Sequence, residues 1–152
     1  MESLHYLLMK THAMFYKKIL SQVSKIGLTP GQPKILEFLL KYHEADQKTI
    51  AAYCEIEPAT VGSILMRMEE AGFVMRRQKN GNRRSLYVSL TEKGTQSACQ
   101  LQDIFQKVET EATCGITAEE QQILRELLDK LSSTMQSQSE CNTGKEELNG
   151  KK

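Results

Sequence analysis

The apolar residues fall into helical stripes that give way once, near the middle of the chain, to a strand-like alternation. Tyr16, Ile19, Leu20 and Val23 repeat at helical spacing, Leu4, Leu7 and Leu8 extend the apolar content toward the start, and Gly27 ends the segment. A second helix is expected to begin between Thr29 and Pro33, with Thr29 as its cap and either proline in its first turn. Its stripe is Ile35, Leu36, Leu39 and Leu40. A short helical segment follows from Gln47 to Tyr53, then a turn from Cys54 to Glu57, then a longer amphipathic helix from Pro58 to Ala71. On that helix Val61, Ile64, Leu65 and Met68 share one face. Here the period changes. Phe73 and Val74 have strand character, and Leu86, Val88 and Leu90 alternate with Tyr87 and Ser89 as in a half-buried strand. Between the two runs, Asn80, Gly81 and Asn82 tolerate tight-turn geometry.

The helical period then returns. Thr91 is placed to cap a helix running toward Thr113, with Leu101, Ile104, Phe105 and Val108 as its buried stripe. Cys114 and Gly115 break it. A last helix opens with a capping box, Thr117 with Glu120, and carries Ile123, Leu124, Leu127, Leu128 and Leu131. Beyond Gln136 almost nothing can be buried, so residues 137–152 are expected to form a disordered tail.

Helix, turn, helix and two-stranded ribbon, in that order, define the winged helix-turn-helix. The expected fold class is mainly α with a small β-wing, in a single domain over 1–136. Residues 29–91 form the winged lobe, and 1–27 and 92–136 form flanking helices. The flanking stripes exceed what so small a lobe can cover. A homodimer built from the first helix and the last two accounts for the surplus; the alternative is that these helices fold back over their own core.

Charge sharpens the picture. The 152 residues balance to a formal +1, which announces no polyanion partner. Yet Asp46 to Thr91 holds seven Lys or Arg against five Asp or Glu, whereas Glu92 to Gln136 holds four against eight. Basic charge is gathered in the winged region, as a face for phosphates requires. Between Gly72 and Ser85 lie Arg76, Arg77, Lys79, Arg83 and Arg84 with no carboxylate among them. Their mutual repulsion calls for an anion, and an arginine at such a tip can enter a narrow minor groove. Arg83 and Arg84 suit that role, while Arg76, Arg77 and Lys79 suit phosphate contacts or strand support. In a helix-turn-helix the start of the second helix enters the major groove. The polar face there is Ala59, Thr60, Ser63 and Arg67. Thr60 and Ser63 can bond base edges or phosphates, Ala59 or the Thr60 methyl can meet a thymine methyl, and Arg67 suits a phosphate or the far edge of the groove. The partner expected is double-stranded DNA.

The run Leu28 to Leu40, the segment Thr49 to Val74 and the wing closing in Arg83-Arg84 resemble the MarR family of bacterial regulators. So do the helix-to-wing junction Glu69-Glu70-Ala71-Gly72-Phe73-Val74 and the following Leu90-Thr91-Glu92-Lys93-Gly94. The resemblance runs from the first helix to about residue 135. It implies a triangular homodimer with an all-helical base and two winged lobes on a pseudo-palindromic operator. It also implies a repressor that leaves DNA when a small ligand or an oxidant arrives. By position, its recognition contacts fall on Ala59, Thr60, Ser63 and Arg67, and its wing arginine on Arg84. The family usually has an Asp two residues before that arginine, where this chain has Asn82, so a bracing salt bridge is expected to be absent or weakened.

A small aromatic or lipophilic effector, bound between the dimer helices and the winged lobe, is the expected signal. The alternative is a redox response, for which Cys54 beside the helix-turn-helix turn is the candidate; a small buried cysteine is the plainer account. A docking module for other proteins is a further alternative, against which the basic wing argues. His43 and Glu44 are adjacent, and His5 and His12 stand seven apart, but no dense ligand set points to a metal. No nucleophile has a base at motif spacing and no Gly-rich phosphate loop is present, so neither catalysis nor a cofactor is expected. The four cysteines include no CxxC pair, and no stretch has membrane-spanning length; a reducing, cytoplasmic setting with no membrane partner is expected.

Overall fold

Helices α1 (Leu4–Val23) and α2 (Gln32–Tyr42) lead into a short strand β1 (Glu44–Asp46), then α3 (Gln47–Cys54) and α4 (Pro58–Glu70). Strands β2 (Val74–Gln78) and β3 (Leu86–Leu90) follow, then α5 (Glu92–Ala112) and α6 (Ala118–Asn149). The computed structural model describes residues 1–79, 81 and 86–149, with the backbone alone for 139–149. Asn80, Asn82, Arg83, Arg84 and Ser85 lie outside the described residues, and with them the expected tip contacts and the missing brace at Asn82. The chain divides into two units, Met1–Glu109 and Thr110–Lys152.

In the first unit, α1 passes through a 3₁₀ turn (Ser24–Ile26) and ends at Gly27, whose φ of 78° is the left-handed conformation that glycine takes without a Cβ penalty. Helix α2 starts later than Thr29. The Thr29 side chain caps nothing; its backbone N–H instead donates to Gln32 Oε1 at 3.0 Å. Gly31 takes the N-cap position with φ 88°, and a Cβ there would come within 2.6 Å of Ile64 Cδ1 on α4. Both the dihedral and that close approach require glycine.

Asp46 caps α3 by accepting the Thr49 N–H at 2.8 Å, and this bond holds its carboxyl below the usual range. A carboxyl held low stabilises the fold above its unfolded value and loses that contribution as pH falls through the folded one. Asp46→Ala should therefore cost about 1 kcal/mol at neutral pH, with a smaller difference from wild type in acid. Urea melts at the two pH values check both parts; an equal cost in acid would contradict the cap.

Helix α4 closes in a Schellman motif: Phe73 N–H donates to Met68 O at 2.8 Å and Gly72 N–H to Glu69 O at 3.0 Å, with Gly72 at φ 78°. The strands form an antiparallel sheet in the order β1-β3-β2, with Glu44 opposite Ser89, Asp46 opposite Tyr87, and Arg77 opposite Tyr87 on the other side. The core is continuous. Val23 of α1, Ile35, Leu36 and Leu39 of α2, Ile50 of α3, Val61, Leu65 and Met68 of α4, Val88 of β3 and Leu101 of α5 are all fully buried in it. The end of α1 and the first half of α5 thus belong to the winged core, while the start of α1 does not: Leu4, Leu7, Leu8 and Met9 are exposed.

In the second unit, the expected capping box is present, with Thr117 N–H donating to Glu120 Oε2 and Glu120 N–H to Thr117 Oγ1. Ile123, Leu124, Leu127 and Leu128 of α6 are exposed. The helix continues to Asn149, past Gln136 where a disordered tail was expected.

Candidate nucleic-acid interface

Helix α4 is held from behind. Val61, Leu65 and Met68 have no solvent exposure, and Ile64 is half-buried at their side. The opposite face is open, and it brings Ala59, Thr60, Ser63 and Arg67 together, all exposed, as the sequence predicts. The Ser63 hydroxyl donates to Ala59 O at 3.3 Å, a weak internal bond that a stronger acceptor can displace. Pro58 opens the helix, and its carbonyl accepts from Gln47 Nε2 at 3.0 Å. Gln47 therefore ties the first turn of α3 to the first turn of α4. Gly62 makes room for it, since a Cβ there would lie 2.9 Å from the same amide nitrogen. Sequence reading passed over Gln47; a glycine inside an amphipathic helix was the available signal.

Asp46, Gln47 and Lys48 of α3, Pro58 of α4, and Arg76, Leu86 and Val88 of the ribbon line a cleft of about 580 Å³. The starts of α3 and α4 and the base of the wing thus meet around one groove.

The hairpin cations are not all bare. Arg76 Nε lies 3.3 Å from Glu69 Oε2 on α4, a charge contact without hydrogen-bond alignment. Arg77 lies 3.5 Å from Glu44 on β1, and Lys79 donates to the same carboxylate. The Lys79 hydrogen bond, with Arg77 adding to it, holds the Glu44 carboxyl below its ordinary range, and raises Lys79 in turn. The expectation that all five cations await an external anion is corrected for these three. Carboxylates from outside the hairpin reach Arg76, Arg77 and Lys79.

Two adjoining clefts of about 270 and 380 Å³ share His12, Tyr16, Pro33 and Lys34, and the second opens beside α4. The first is walled by Phe15, Ile19 and Phe105, with Glu37 at its edge; the second reaches Ile56, Thr60 and Ile64. Burial lifts the Glu37 carboxyl above its ordinary value, helped by Glu109 and opposed by Lys41. Thr60 thus lines the cleft and stands on the polar face of α4. Cys54 is buried, and burial pushes its thiol up, the reverse of what a thiolate sensor needs. Among the described residues no group of three or more His, Cys, Asp or Glu could hold a metal, and no helix is long and apolar enough to cross a membrane.

A family model described as MarR family matches residues 28–86, the stretch from the entry of α2 to the return strand of the wing. The homoprotocatechuate degradative operon repressor of Escherichia coli is 30% identical over 123 residues, covering 78% of this chain and 80% of the relative. The chain belongs to the MarR family. The HTH-type transcriptional repressor Rv2887 of Mycobacterium tuberculosis is 25% identical over 130 residues, covering 86% of this chain and 94% of its own. Its crystal structure in complex with salicylic acid superposes with a TM-score of 0.69 at 24% identity, over 86% of this chain and 97% of that one. A putative MarR family regulator from Listeria monocytogenes, solved with a 26mer DNA, gives a TM-score of 0.83 at 18% identity, over 89% and 90% of the two chains. This MarR-family chain is thus a winged helix-turn-helix, DNA-binding transcriptional regulator; members of the family are regulators and not enzymes.

Proposed function

We propose that two copies of this chain form a repressor that reads a pseudo-palindromic duplex and leaves it when a small aromatic or lipophilic molecule fills the cleft beside α4. The observation that carries the reading is the two-faced α4: one face fully buried, the other open with Ala59, Thr60, Ser63 and Arg67. A helix fixed from behind presents its outer side chains at constant geometry, which base readout needs. In this reading Thr60 and Ser63 meet base edges, Ala59 a thymine methyl and Arg67 a phosphate, while Arg84 enters the minor groove. The dimer is supported by apolar side chains that the single chain leaves in water, Leu4, Leu7 and Leu8 on α1 and Ile123, Leu124, Leu127 and Leu128 on α6. The effector is supported by the aromatic walls of the first cleft, Phe15, Tyr16 and Phe105, and by the adjoining second cleft, which shares Thr60 with the recognition face. A ligand that extends into the second cleft touches α4 itself and favours a different α4 setting from the one DNA favours. Rv2887, solved with salicylic acid, gives the chemical class to try first.

Arg84→Ala should weaken duplex binding and flatten the log–log salt slope by about one counterion-equivalent. Fluorescence anisotropy across a salt series reads both; an unaltered slope removes Arg84 from the interface. Sedimentation should give a dimer at micromolar concentration, and a monomer there removes the symmetric-operator model. If a panel of small aromatic acids neither raises the melting temperature nor releases DNA, the effector assignment fails.

A further inference from the structure

One carboxylate, Glu44, takes up two of the wing's cations, and two features of the backbone and one side-chain contact bring them together. First, α2 ends at His43, whose N–H donates to Leu39 O at 2.9 Å and whose dihedrals are φ 70° and ψ −54°. A non-glycine residue in that region carries strain and persists only where its surroundings impose it. The turn delivers the very next residue, Glu44, onto the edge of the sheet. Second, the register sets Glu44 opposite Ser89 and Ser89 opposite Met75, and strand alternation then carries Arg77 and Lys79 onto the same face. Third, Lys79 crosses the Tyr87 ring, 5.0 Å from its centroid, to reach the carboxylate, while Arg77 stands directly opposite Tyr87. β1 is thereby linked to β2 across the whole width of the sheet.

Exposed ion pairs add little to stability. The effect of this cluster is accordingly on where the charges point. Without Glu44, two long basic side chains beside a DNA-facing tip would be free to follow any phosphate backbone.

We infer that Glu44 is a positioning residue of the wing: it holds Arg77 and Lys79 against the sheet and withholds two cations from DNA phosphates. The inference rests on the DNA-binding reading and adds to it a limit on sequence-independent attraction. The sheet keeps its strut, and the hold on DNA is left to the α4 face and the wing tip.

The test uses the full chain and a short random-sequence duplex, which needs no knowledge of the operator. Glu44→Gln keeps the side chain's shape and removes its charge. Its salt slope should steepen by about two counterion-equivalents, so that its excess affinity over wild type falls about tenfold between 50 and 200 mM salt. A merely structural role would lower affinity and leave the slope as in wild type, and that result overturns the inference. Because Glu44→Gln could disturb the fold, a second variant tests the same point in the native background. Arg77→Gln with Lys79→Gln should keep the wild-type slope, and a slope flatter by about two would mean that both already hold phosphates, which overturns the inference. If the wild type fails to bind the random duplex even at low salt, the DNA-binding reading itself falls, an outcome distinct from either of these.

Discussion

Gly94→Ala is expected to destabilise the chain by about 3 kcal/mol or more, at the upper end of what overpacking costs. A Cβ on Gly94 would stand 1.9 Å from the Phe73 carbonyl oxygen and 3.3 Å from Leu90 Cδ2. The first obstacle is backbone, so no rotamer change relieves it; the start of α5 must move away from the end of α4. That movement breaks a dense joint. The Thr91 hydroxyl donates to Gly72 O at 2.6 Å and accepts the Gly94 N–H at 3.0 Å, Thr91 N–H donates to Phe73 O at 3.0 Å, and Lys93 Nζ donates to Ala71 O at 2.6 Å. The joint sets the angle at which the wing leaves α4, so duplex affinity should fall together with stability. Urea unfolding measures the first and anisotropy the second. A loss under about 1 kcal/mol would mean that the joint yields cheaply, and that the glycine is there for another reason.

Leu65→Ala should cost about 3 kcal/mol, within the range for truncating a fully buried leucine. Leu65 has no exposure and lies in the core between the α4 neighbours Val61 and Met68. Truncation removes the support behind the recognition face without touching that face. Ser63→Ala, two residues away on the open side, makes the matched comparison. It should change stability by less than about 0.5 kcal/mol, since only its 3.3 Å bond to Ala59 O is lost, and yet weaken binding to a specific duplex. Paired melts and titrations decide it. If Ser63→Ala melts early, or Leu65→Ala melts like wild type, the division of α4 into a supporting and a reading face is wrong.

What the sequence made legible follows from the range of the interactions. The helices were readable because their stripes and caps are local: Thr117 with Glu120, Gly27 at the end of α1, and the buried run Val61, Leu65 and Met68 all act within one or two turns. The two motifs carrying the family likeness, Glu69 to Val74 and Leu90 to Gly94, could be recognised as strings. Their reason could not, because it is a contact between them: Gly94 is small to admit the Phe73 carbonyl, and Thr91 is a threonine to hold Gly72. β1 was invisible for a related cause. Glu-Ala-Asp has low strand propensity and becomes a strand only by pairing with β3, more than forty residues on. The partner of Arg77 and Lys79 lies at similar range. The hairpin contains no carboxylate of its own, and its counter-charges arrive from Glu44, 35 residues before Lys79, and from Glu69 across the Schellman turn.

The candidate site divides likewise. Ala59, Thr60, Ser63 and Arg67 share a face by helical spacing alone, which a sequence displays. The two adjoining clefts that share Tyr16 and Pro33, one reaching Phe105 and the other Ile64, each draw on three helices, and no local pattern announces them.

The most direct measurement of the central claim is the ratio of two affinities. A duplex selected by the protein from a random library, and an unselected duplex of equal length, would be titrated side by side with wild type and with Thr60→Ala/Ser63→Ala over a salt series. A winged reader with α4 in the major groove should bind the selected duplex at least about a thousandfold more tightly at physiological salt, and the double variant should lose much of that ratio. Both duplexes should show steep salt dependence. A ratio near one in the wild type, or a ratio that survives the loss of both hydroxyls, would contradict the assignment of the open face of α4 as the reading surface.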